Sequence, residues 1–191
     1  MKARIKIQGF LIFIAVISVI FFYKYLLPNQ VLGIWRIIFD AAGIFLFLLG
    51  YFLRTVARGY KAELNPDGKT LVIKGPYSLT RNPMYLGTLL IGTGIILLIL
   101  KWWVAAIFLM AYLWIYIPQI KKEESKLRGL FHSLFDDYCL VTPGFFPNIK
   151  SLLRPDSIMK LKASWVKKEL SSFLAASTFI LIVKTWELLC R

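Results

Sequence analysis

Residues 84–118, MYLGTLLIGTGIILLILKWWVAAIFLMAYLWIYIP, contain two apolar runs, 84–100 and 102–117, which are separated by the charge of Lys101. About 20 mostly apolar helical residues cross the hydrocarbon core of a bilayer. We therefore predict a helical hairpin of two membrane spans that turns at Lys101 and ends at Pro118. Two adjacent tryptophans follow the turn, as is typical of a membrane interface.

Three further runs have the length and apolar character of membrane helices: residues 8–27, 33–56 and 170–189. The basic start of the first run resembles a signal peptide, but no small-residue cleavage site follows it, which predicts a retained span. The last run carries Lys184 and Glu187. It is either a fifth span whose end charges reach the headgroups or a helix that lies in the interface. The predicted fold is an all-α integral membrane protein with about five transmembrane helices.

The composition supports lipid as the environment of these runs. Of the 191 residues, 58% are hydrophobic and 18% are charged, and the mean hydropathy is +0.66. Ordinary globular proteins are roughly 45–50% apolar and about 25% charged. These values exclude a disordered or collagen-like chain. Two cysteines and one histidine argue against a disulfide scaffold, a zinc or haem site and a Ser-His-Asp triad.

The 24 Lys and Arg residues against 10 Asp and Glu would fit either nucleic acid binding or membrane topology. The basic residues lie between the apolar runs, which favours topology. If the N-terminus, Arg54, the 57–83 loop and the 119–168 segment share one side, that side holds 19 of the 24 positive residues. The positive-inside rule makes it cytoplasmic. We divide the chain into N-terminal spans (1–61), a core (62–147) and a basic linker with a C-terminal helix (148–191).

The segment KTLVIKGPYSLTRNPMYLG, residues 69–87, precedes the hairpin. It predicts a short strand at 71–73, a Gly-Pro turn, and a helix that begins at Pro83 and is capped by Asn82. A plain capped loop that enters a membrane helix explains these features. A functional site is the alternative, because a cation, an amide, a phenol and a glycine lie within seven residues: Arg81, Asn82, Tyr85 and Gly87. The glycines fit close helix packing equally well.

The segment PQIKKEESKLRGLFHSLFDDY, residues 118–138, follows the hairpin and carries Glu123 and Glu124. Adjacent helical residues point about 100° apart, so the two carboxylates cannot face one ligand. One of them is expected to pair with a nearby cation: Lys121, Lys122 or Arg128. The alternative is a solvated amphipathic helix with an apolar stripe that lies on the membrane or over a site. The stripe would consist of Leu127, Leu130, Phe131, Leu134 and Phe135.

A helical hairpin separates these two segments, and a Tyr and a Phe-Pro end follow them. This pattern resembles the isoprenylcysteine carboxyl methyltransferase family and the related membrane phospholipid methyltransferases. The shared signature is a Gly-x-Tyr turn, an Arg-His-Pro-x-Tyr-x-Gly helix start and a Glu-Glu pair after the next helix. The resemblance covers residues 62–147. It implies that the 62–87 and 118–147 segments close around S-adenosylmethionine in a cytoplasmic pocket at the membrane surface.

The resemblance also implies roles for single residues. Those that it assigns to cofactor binding are Lys69, Thr70, Leu71, Val72, Tyr77, Arg81, Asn82, Pro83, Met84, Tyr85, Gly87 and Glu123. If the acceptor is an amine, Glu123, Glu124 or Tyr85 could take its proton, and Tyr85 and Glu124 are the catalytic candidates. These residue types suit the cofactor, because strand backbone can bind adenine, a carboxylate can bind ribose hydroxyls or attract a sulfonium, and phenol rings attract cations.

Two positions depart from the signature. The family histidine is Asn82 here, which keeps a hydrogen-bond donor but has no titratable ring, so a proton shuttle at this position is disfavoured. Isoprenylcysteine enzymes place an arginine for the substrate carboxylate shortly before the Glu-Glu pair. That position falls near Gln119, and no arginine is found there. The departure argues against a prenylcysteine substrate.

The sequence therefore predicts an S-adenosylmethionine-dependent membrane methyltransferase that acts on a lipidic or small hydrophobic carboxylate, thiol or amine. Methyl transfer from a sulfonium depends on orientation and water exclusion, so it needs no metal or nucleophilic side chain. The expected partners are the acceptor and membrane lipids, without nucleic acid or metal, and the oligomeric state stays open. The alternatives are a phospholipid N-methyltransferase and a non-catalytic membrane interaction module that keeps the fold.

Overall fold

A computed structural model of the chain describes residues 34–147 and 159–189. Within these two segments the chain forms helices and no β-strand, which confirms the predicted all-α class. The first predicted span, residues 8–27, lies outside the described residues. The helices are α1 (Ile34–Leu64), α2 (Pro76–Leu79), α3 (Pro83–Ile99), α4 (Trp102–Phe131), α5 (Ser133–Val141) and α6 (Ala163–Leu189).

Helices α1 and α3 pack backbone to backbone, and glycines make this possible. A Cβ atom built at Gly50 would lie 2.7 Å from the carbonyl oxygen of Gly87, and one at Gly94 would lie 2.7 Å from that of Gly43. Because Gly43 meets Gly94 while Gly50 meets Gly87, the two helices run antiparallel. Close helix packing was one of the two explanations that the sequence offered for Gly87. The structure agrees with it, since this residue lies against α1.

The predicted hairpin is formed by α3 and α4, which are separated by Leu100 and Lys101. Pro118, however, does not end the second helix, which continues to Phe131. A proline inside a helix removes one backbone hydrogen bond. Here the helix continues, because the hydrogen bonds of the turns on either side are kept. Pro118 therefore does not end the helix, and α4 carries Glu123 and Glu124 beyond it. Where the membrane span ends stays a prediction.

The single amphipathic helix considered for residues 118–138 is also divided. It turns at His132, whose φ is 46°, so α5 is a separate helix after α4. The proposed apolar stripe is split by this turn. Phe135 is buried at 1% exposure, whereas Leu130 and Leu134 are 66% and 61% exposed. Phe135 therefore belongs to the interior, and the two leucines face outward.

Helices α1 and α4 are long and apolar enough to cross a membrane, and α3 is apolar but has only 17 residues. Large apolar side chains project outward from both long helices, among them Phe45 at 64% exposure and Trp114 at 81%. An apolar surface of this kind is typical of contact with lipid or with a partner. The five predicted spans stay a prediction.

Helix α6 begins at Ala163, before the predicted start at residue 170, and its first part lies against the last part of α1. The ring of Trp165 covers Gly59, and its indole N–H donates to Glu63 at 2.9 Å. The same tryptophan contacts the ring of Tyr60, which in turn lies against Gly75 of the loop before α2. The C-terminal helix thus supports the Gly-Pro turn from behind.

The other end of α6 forms an ion network with α1. Lys184 Nζ lies 3.0 Å from Asp40, and Arg36 lies 3.1 Å from Asp40 and 3.4 Å from Glu187. Lys184 and Glu187, whose charges would reach the headgroups if this helix spans the membrane, thus pair with residues of α1. Asp40, the acidic residue inside the second apolar run, pairs with two cations.

Candidate functional site

Arg81 joins the two segments that the sequence singled out. Its Nε lies 2.9 Å from Glu124 Oε1, and its Nη2 lies 3.2 Å from Oε2. Its Nη1 donates to the carbonyl oxygen of Thr142 at 2.9 Å. Burial alone would lower the pKa of Arg81, but the hydrogen bonds and charge of Glu124 raise it. Arg81 therefore stays a cation that clamps the start of α3 to α4 and to the chain after α5.

The expected partners of the glutamates were wrong. Glu124 pairs with Arg81 rather than with Lys121, Lys122 or Arg128. Arg128 forms an ion pair with Asp136 instead, at 2.8 Å on the surface. The planar guanidinium of Arg81 can bind both oxygens of one carboxylate at once, which a neighbouring lysine on the same helix cannot do.

Asn82 uses its side chain for this junction and not for the helix cap that the sequence suggested. Its Nδ2 donates to Glu124 Oε1 at 2.8 Å and to the carbonyl oxygen of Gly144 at 2.8 Å. The hydroxyl of Thr80 accepts the backbone N–H of Asn82 instead, at 3.3 Å. An amide has two N–H donors on one nitrogen, so Asn82 satisfies both acceptors at once.

Tyr77 and Tyr138 form the opposite, aromatic wall. The hydroxyl of Tyr138 donates to the carbonyl oxygen of Tyr77 at 2.5 Å. Burial is the main cause that raises the pKa of both phenols above the usual value, and the nearby charge of Glu123 adds to the effect on Tyr77. Both hydroxyls are therefore neutral at physiological pH, and α5 is attached to the loop before α2.

A small cleft of about 70 Å³ lies between these walls and is partly open to solvent. Seven of the residues proposed from the sequence line it: Thr70, Leu71, Val72, Tyr77, Arg81, Asn82 and Glu124. Five other residues complete the lining: Lys61, Asn65, Leu127, Phe135 and Tyr138. The remaining proposed residues lie outside this lining, and they are Lys69, Pro83, Met84, Tyr85, Gly87 and Glu123.

Residues 71–73 do not form the predicted strand, because no neighbouring strand pairs with them among the described residues. The backbone N–H of Thr70 donates to Asn65 Oδ1 at 3.1 Å. In the described part of the chain, the backbone groups of Leu71 and Val72 form no hydrogen bond with another backbone group. Both residues line the cleft.

Tyr85 and Glu123 form a second cluster beside the cleft. The hydroxyl of Tyr85 donates to Glu123 Oε1 at 2.6 Å, and Gln119 Nε2 donates to the same oxygen at 2.8 Å. The ring of Tyr116 lies 5.5 Å from that of Tyr85 and stacks on Tyr112 at 4.2 Å. The two glutamates thus engage different groups, as their 100° separation on a helix requires.

The sequence contained weak signals for the residues that it missed. Phe135 and Tyr138 are three apart on α5, a spacing that places them on one helix face, but their partner was not visible. Asn65 begins the Asn-Pro-Asp-Gly turn after α1, and Lys61 lies one helical turn before it. Their place in the cleft follows from how α1 ends, which local sequence does not show.

A family model described as phospholipid methyltransferase matches residues 32–133, more than half of the chain. The match includes α1, α3 and α4 and all of the cleft except its α5 wall. The chain belongs to the phospholipid methyltransferase family. Membership implies methyltransferase activity in general and association with a membrane, in agreement with the apolar outer faces of α1 and α4.

Two curated relatives of this phospholipid methyltransferase family member carry names of another kind. The cobalt-zinc-cadmium resistance protein CzcN of Cupriavidus metallidurans is 31% identical over 143 residues, 74% of this chain and 65% of its own length. The nickel-cobalt-cadmium resistance protein NccN of Alcaligenes xylosoxydans xylosoxydans is 28% identical over 183 residues, 85% of each chain. The chain thus spans slightly less than two thirds of CzcN. No solved structure matches it.

Proposed function

We propose that this family member is a membrane methyltransferase that transfers a methyl group from S-adenosylmethionine to a lipidic or small hydrophobic acceptor. The observation that carries the proposal is the contact of Arg81 and Asn82 with Glu124. This contact brings the two signature segments together around a cleft beside the apolar helices. The alternative, a non-catalytic interaction module that keeps the fold, would be marked by the inability to bind the cofactor.

The donor set of the cleft fits S-adenosylmethionine. The amino group of Lys61 suits the carboxylate of the cofactor, and the oxygens of Glu124 suit its hydroxyl or amino groups. The rings of Tyr77 and Phe135 suit a flat heterocycle. The carboxylate, the polar groups and the heterocycle of the cofactor therefore each have a matching group in the lining.

S-adenosylmethionine, when bound, supplies a methyl group on a positively charged sulfur that an electron-rich acceptor atom can attack in line. The residues of the chain bind and orient, and they exclude water. The Arg81–Glu124 pair holds one wall rigid, and the Tyr138 hydroxyl holds α5 over the other. Such positioning accounts for much of the rate gain in reactions of two bound molecules.

The membrane location serves the acceptor. The outer faces of α1 and α4 are apolar, and the cleft lies where these helices become polar, near Lys61 and Glu124. A lipidic acceptor would reach the cleft from the bilayer while the cofactor enters from water. With the positive side of the chain inside, we place the cleft on the cytoplasmic face.

Calorimetry with S-adenosylmethionine on the detergent-purified protein tests the proposal. We expect saturable binding that Glu124→Gln weakens by about tenfold or more, since a charged hydrogen-bonding group is lost. Asp136→Asn is the matched control, because it also removes a carboxylate paired with an arginine, but at an exposed residue that does not line the cleft. Absence of binding by protein with a cooperative thermal transition would overturn the proposed function.

The names of the relatives suggest a setting for the reaction. We propose that methylation of a membrane component by this chain contributes to resistance against divalent metal ions. Expression in a metal-sensitive host should improve growth on cadmium for the unmodified chain and for Asp136→Asn, but not for Glu124→Gln. Equal growth of all three strains, at equal protein levels, would show that metal resistance does not depend on methyl transfer by this chain.

A further inference from the structure

The first turn of α6 packs against the last part of α1, where Lys61 lines the cleft. Helix α6 lies outside residues 32–133, which the family model matches. Trp165 on this turn is only 6% exposed. Its ring leaves no room for a Cβ atom at Gly59, and its indole N–H donates to Glu63 Oε1 at 2.9 Å. A close shape contact and a hydrogen bond thus fix one bulky side chain behind the cleft.

We infer that Trp165 is a positioning residue for cofactor binding. It holds the ring of Tyr60 against the Gly75-Pro76 turn, and this turn places the wall of the cleft that Tyr77 forms. Trp165 does not line the cleft, so it acts through these neighbours. The inference rests on the proposed function and deepens it, because it assigns the C-terminal helix a part in the binding of S-adenosylmethionine.

The first contact in this series is aromatic. The ring centres of Tyr60 and Trp165 lie 5.5 Å apart, and the rings are tilted by 58°. The backbone N–H of Lys160 donates to the hydroxyl of Tyr60 at 3.3 Å. Residues 160–165 therefore contact both the ring and the hydroxyl of Tyr60, which fixes its orientation.

The second contact joins Tyr60 to Gly75. A Cβ atom built at Gly75 would lie 2.6 Å from an atom of the Tyr60 ring. The φ of Gly75 is 63°, a value that residues with a side chain rarely adopt. The turn thus needs glycine both for its conformation and for its approach to the ring. If the ring of Tyr60 moves, the turn loses the surface on which it packs.

The third step leads from the turn to the cleft. The backbone N–H and the hydroxyl of Ser78 both donate to the carbonyl oxygen of Gly75, at 3.0 and 2.8 Å. Tyr77, which lines the cleft, lies inside this hydrogen-bonded turn. Its carbonyl oxygen accepts the hydroxyl of Tyr138 from the other wall. Because the turn is short, a displacement of Gly75 moves Tyr77 with it.

Helix α6 also fixes the last turn of α1. Lys162 Nζ lies 2.6 Å from one oxygen of Glu63, and Trp165 donates to the other oxygen. The ion pair is exposed and contributes little by itself. Lys61 lies two residues before Glu63, and its carbonyl oxygen accepts the backbone N–H of Asn65 at 3.1 Å. Lys61 and Asn65 both line the cleft, so the buried tryptophan supports this edge as well.

The opposite end of α6 offers the comparison that separates positioning from general stabilisation. Lys184 Nζ lies 3.0 Å from Asp40 there. Asp40 and Lys61 are 21 residues apart on α1, which is about 30 Å along a helix. Loss of Lys184 therefore weakens the same pair of helices far from the cleft.

The test measures S-adenosylmethionine binding by calorimetry and hydrogen exchange of residues 74–80 by mass spectrometry. Both are measured on detergent-purified protein well below the Tm of each variant. We expect Trp165→Leu to raise the Kd by about tenfold and to speed exchange in this segment. Trp165→Phe keeps a ring beside Tyr60 and should stay within about threefold of the unmodified Kd. Tyr60→Leu should match Trp165→Leu, and the double variant should lose no more than either single variant.

Two control variants alter α6 away from the cleft. Lys184→Met breaks the contact with Asp40, so we expect a lower Tm with an unchanged Kd and unchanged exchange of residues 74–80. Trp186→Leu also removes a tryptophan from α6, but from a position that is 64% exposed. It should change neither the Kd nor the exchange.

The outcomes distinguish the inference from the proposed function. If the unmodified protein binds no S-adenosylmethionine, the proposed function fails, and the inference fails with it. If the unmodified protein binds and folded Trp165→Leu binds equally well, the inference alone is overturned. An equal loss of affinity in Lys184→Met would also overturn it, because any weakening of α6 would then suffice. Should Trp165→Leu lack a cooperative thermal transition, an unchanged Kd in Tyr60→Leu overturns the inference, and a raised Kd supports it.

Discussion

Arg81 and Glu124 face each other in a two-point contact that spans 43 residues of sequence. The side chains are 17% and 20% exposed, so solvent screens the pair only in part. The contact fixes the start of α3 against the part of α4 beyond Pro118, and the cleft lies beside it. The pair is therefore both a structural clamp and a wall of the candidate site.

We expect Arg81→Ala to lower the free energy of unfolding by about 3 kcal/mol, because it leaves a half-buried carboxylate without its cation. Arg128→Ala is the control, since it breaks the exposed pair with Asp136 and should cost less than about 1 kcal/mol. Thermal unfolding in detergent, followed by circular dichroism, measures both. Equal shifts of Tm in the two variants would contradict the clamp.

Asn82→Asp should destabilise the protein in a pH-dependent manner. The new carboxylate would lie beside Glu124 and face the carbonyl oxygen of Gly144, where Asn82 now donates two hydrogen bonds. Two adjacent carboxylates raise the pKa of one of them in the folded state. Stability is then retained at low pH and lost as the pH rises through that pKa. Tm of the variant should approach that of the unmodified protein near pH 4 and fall below it at pH 7.

A Tm deficit of Asn82→Asp that is the same at both pH values would show that the lost amide donors matter and the added charge does not. Glu124→Gln in the same background separates the two effects. With Glu124 neutral, the repulsion is absent, and we expect the pH dependence of the deficit to disappear.

The contact of α1 with α3 predicts a large penalty for Gly50→Ala. The added Cβ would lie 2.7 Å from backbone atoms of Gly87 and Ile91, which can yield only if the helices separate. We expect a loss of about 2 kcal/mol or more and a lower Tm. Gly129→Ala is the matched control, because nothing lies within 4 Å of its Cβ and alanine favours a helix by about 1 kcal/mol over glycine. A stabilised Gly50→Ala variant would refute this packing.

Tyr138 should remain protonated at alkaline pH. Burial raises the pKa of its phenol well above the usual value. The buried neutral phenol therefore contributes its full stability below about pH 10, the usual pKa of tyrosine. This contribution is lost as the pH rises through the higher pKa of the folded state. At about pH 11, the phenolate absorbance of folded Tyr138→Phe should equal that of the unmodified protein. After denaturation, the variant should show one phenolate fewer than the nine of the full chain. A deficit already present in the folded state would disprove the shift.

Part of the fold follows from local sequence. An apolar run of about 20 residues has few alternatives to a helix, so α3 and the start of α4 lie within one residue of their predicted bounds. The end of α4 was mispredicted at Pro118, because whether a helix passes a proline depends on the support from neighbouring turns and helices. The turn at His132 and the early start of α6 at Ala163 also depend on packing.

The candidate site was predicted at the level of segments and not of contacts. The polar stretches before α3 and after the apolar part of α4 stand out against an apolar chain, so residues such as Arg81, Asn82 and Glu124 could be named. Which carboxylate meets Arg81 depends on the rotation of α4 about its axis. That rotation is determined by side-chain packing along α3, for example by Phe108 against Gly92.

Composition and the lengths of the apolar runs predicted the helical class and the membrane character, because the burial of apolar side chains depends on residue type. The polar stretches between the runs, together with the family resemblance, pointed to the two site segments. The tertiary structure alone decided that Glu124 pairs with Arg81, that Glu123 is held by Tyr85 and Gln119, and that α5 closes the cleft. These contacts join residues that are far apart in sequence. Their energies depend on distances of a few ångströms between helices, which a linear pattern does not contain.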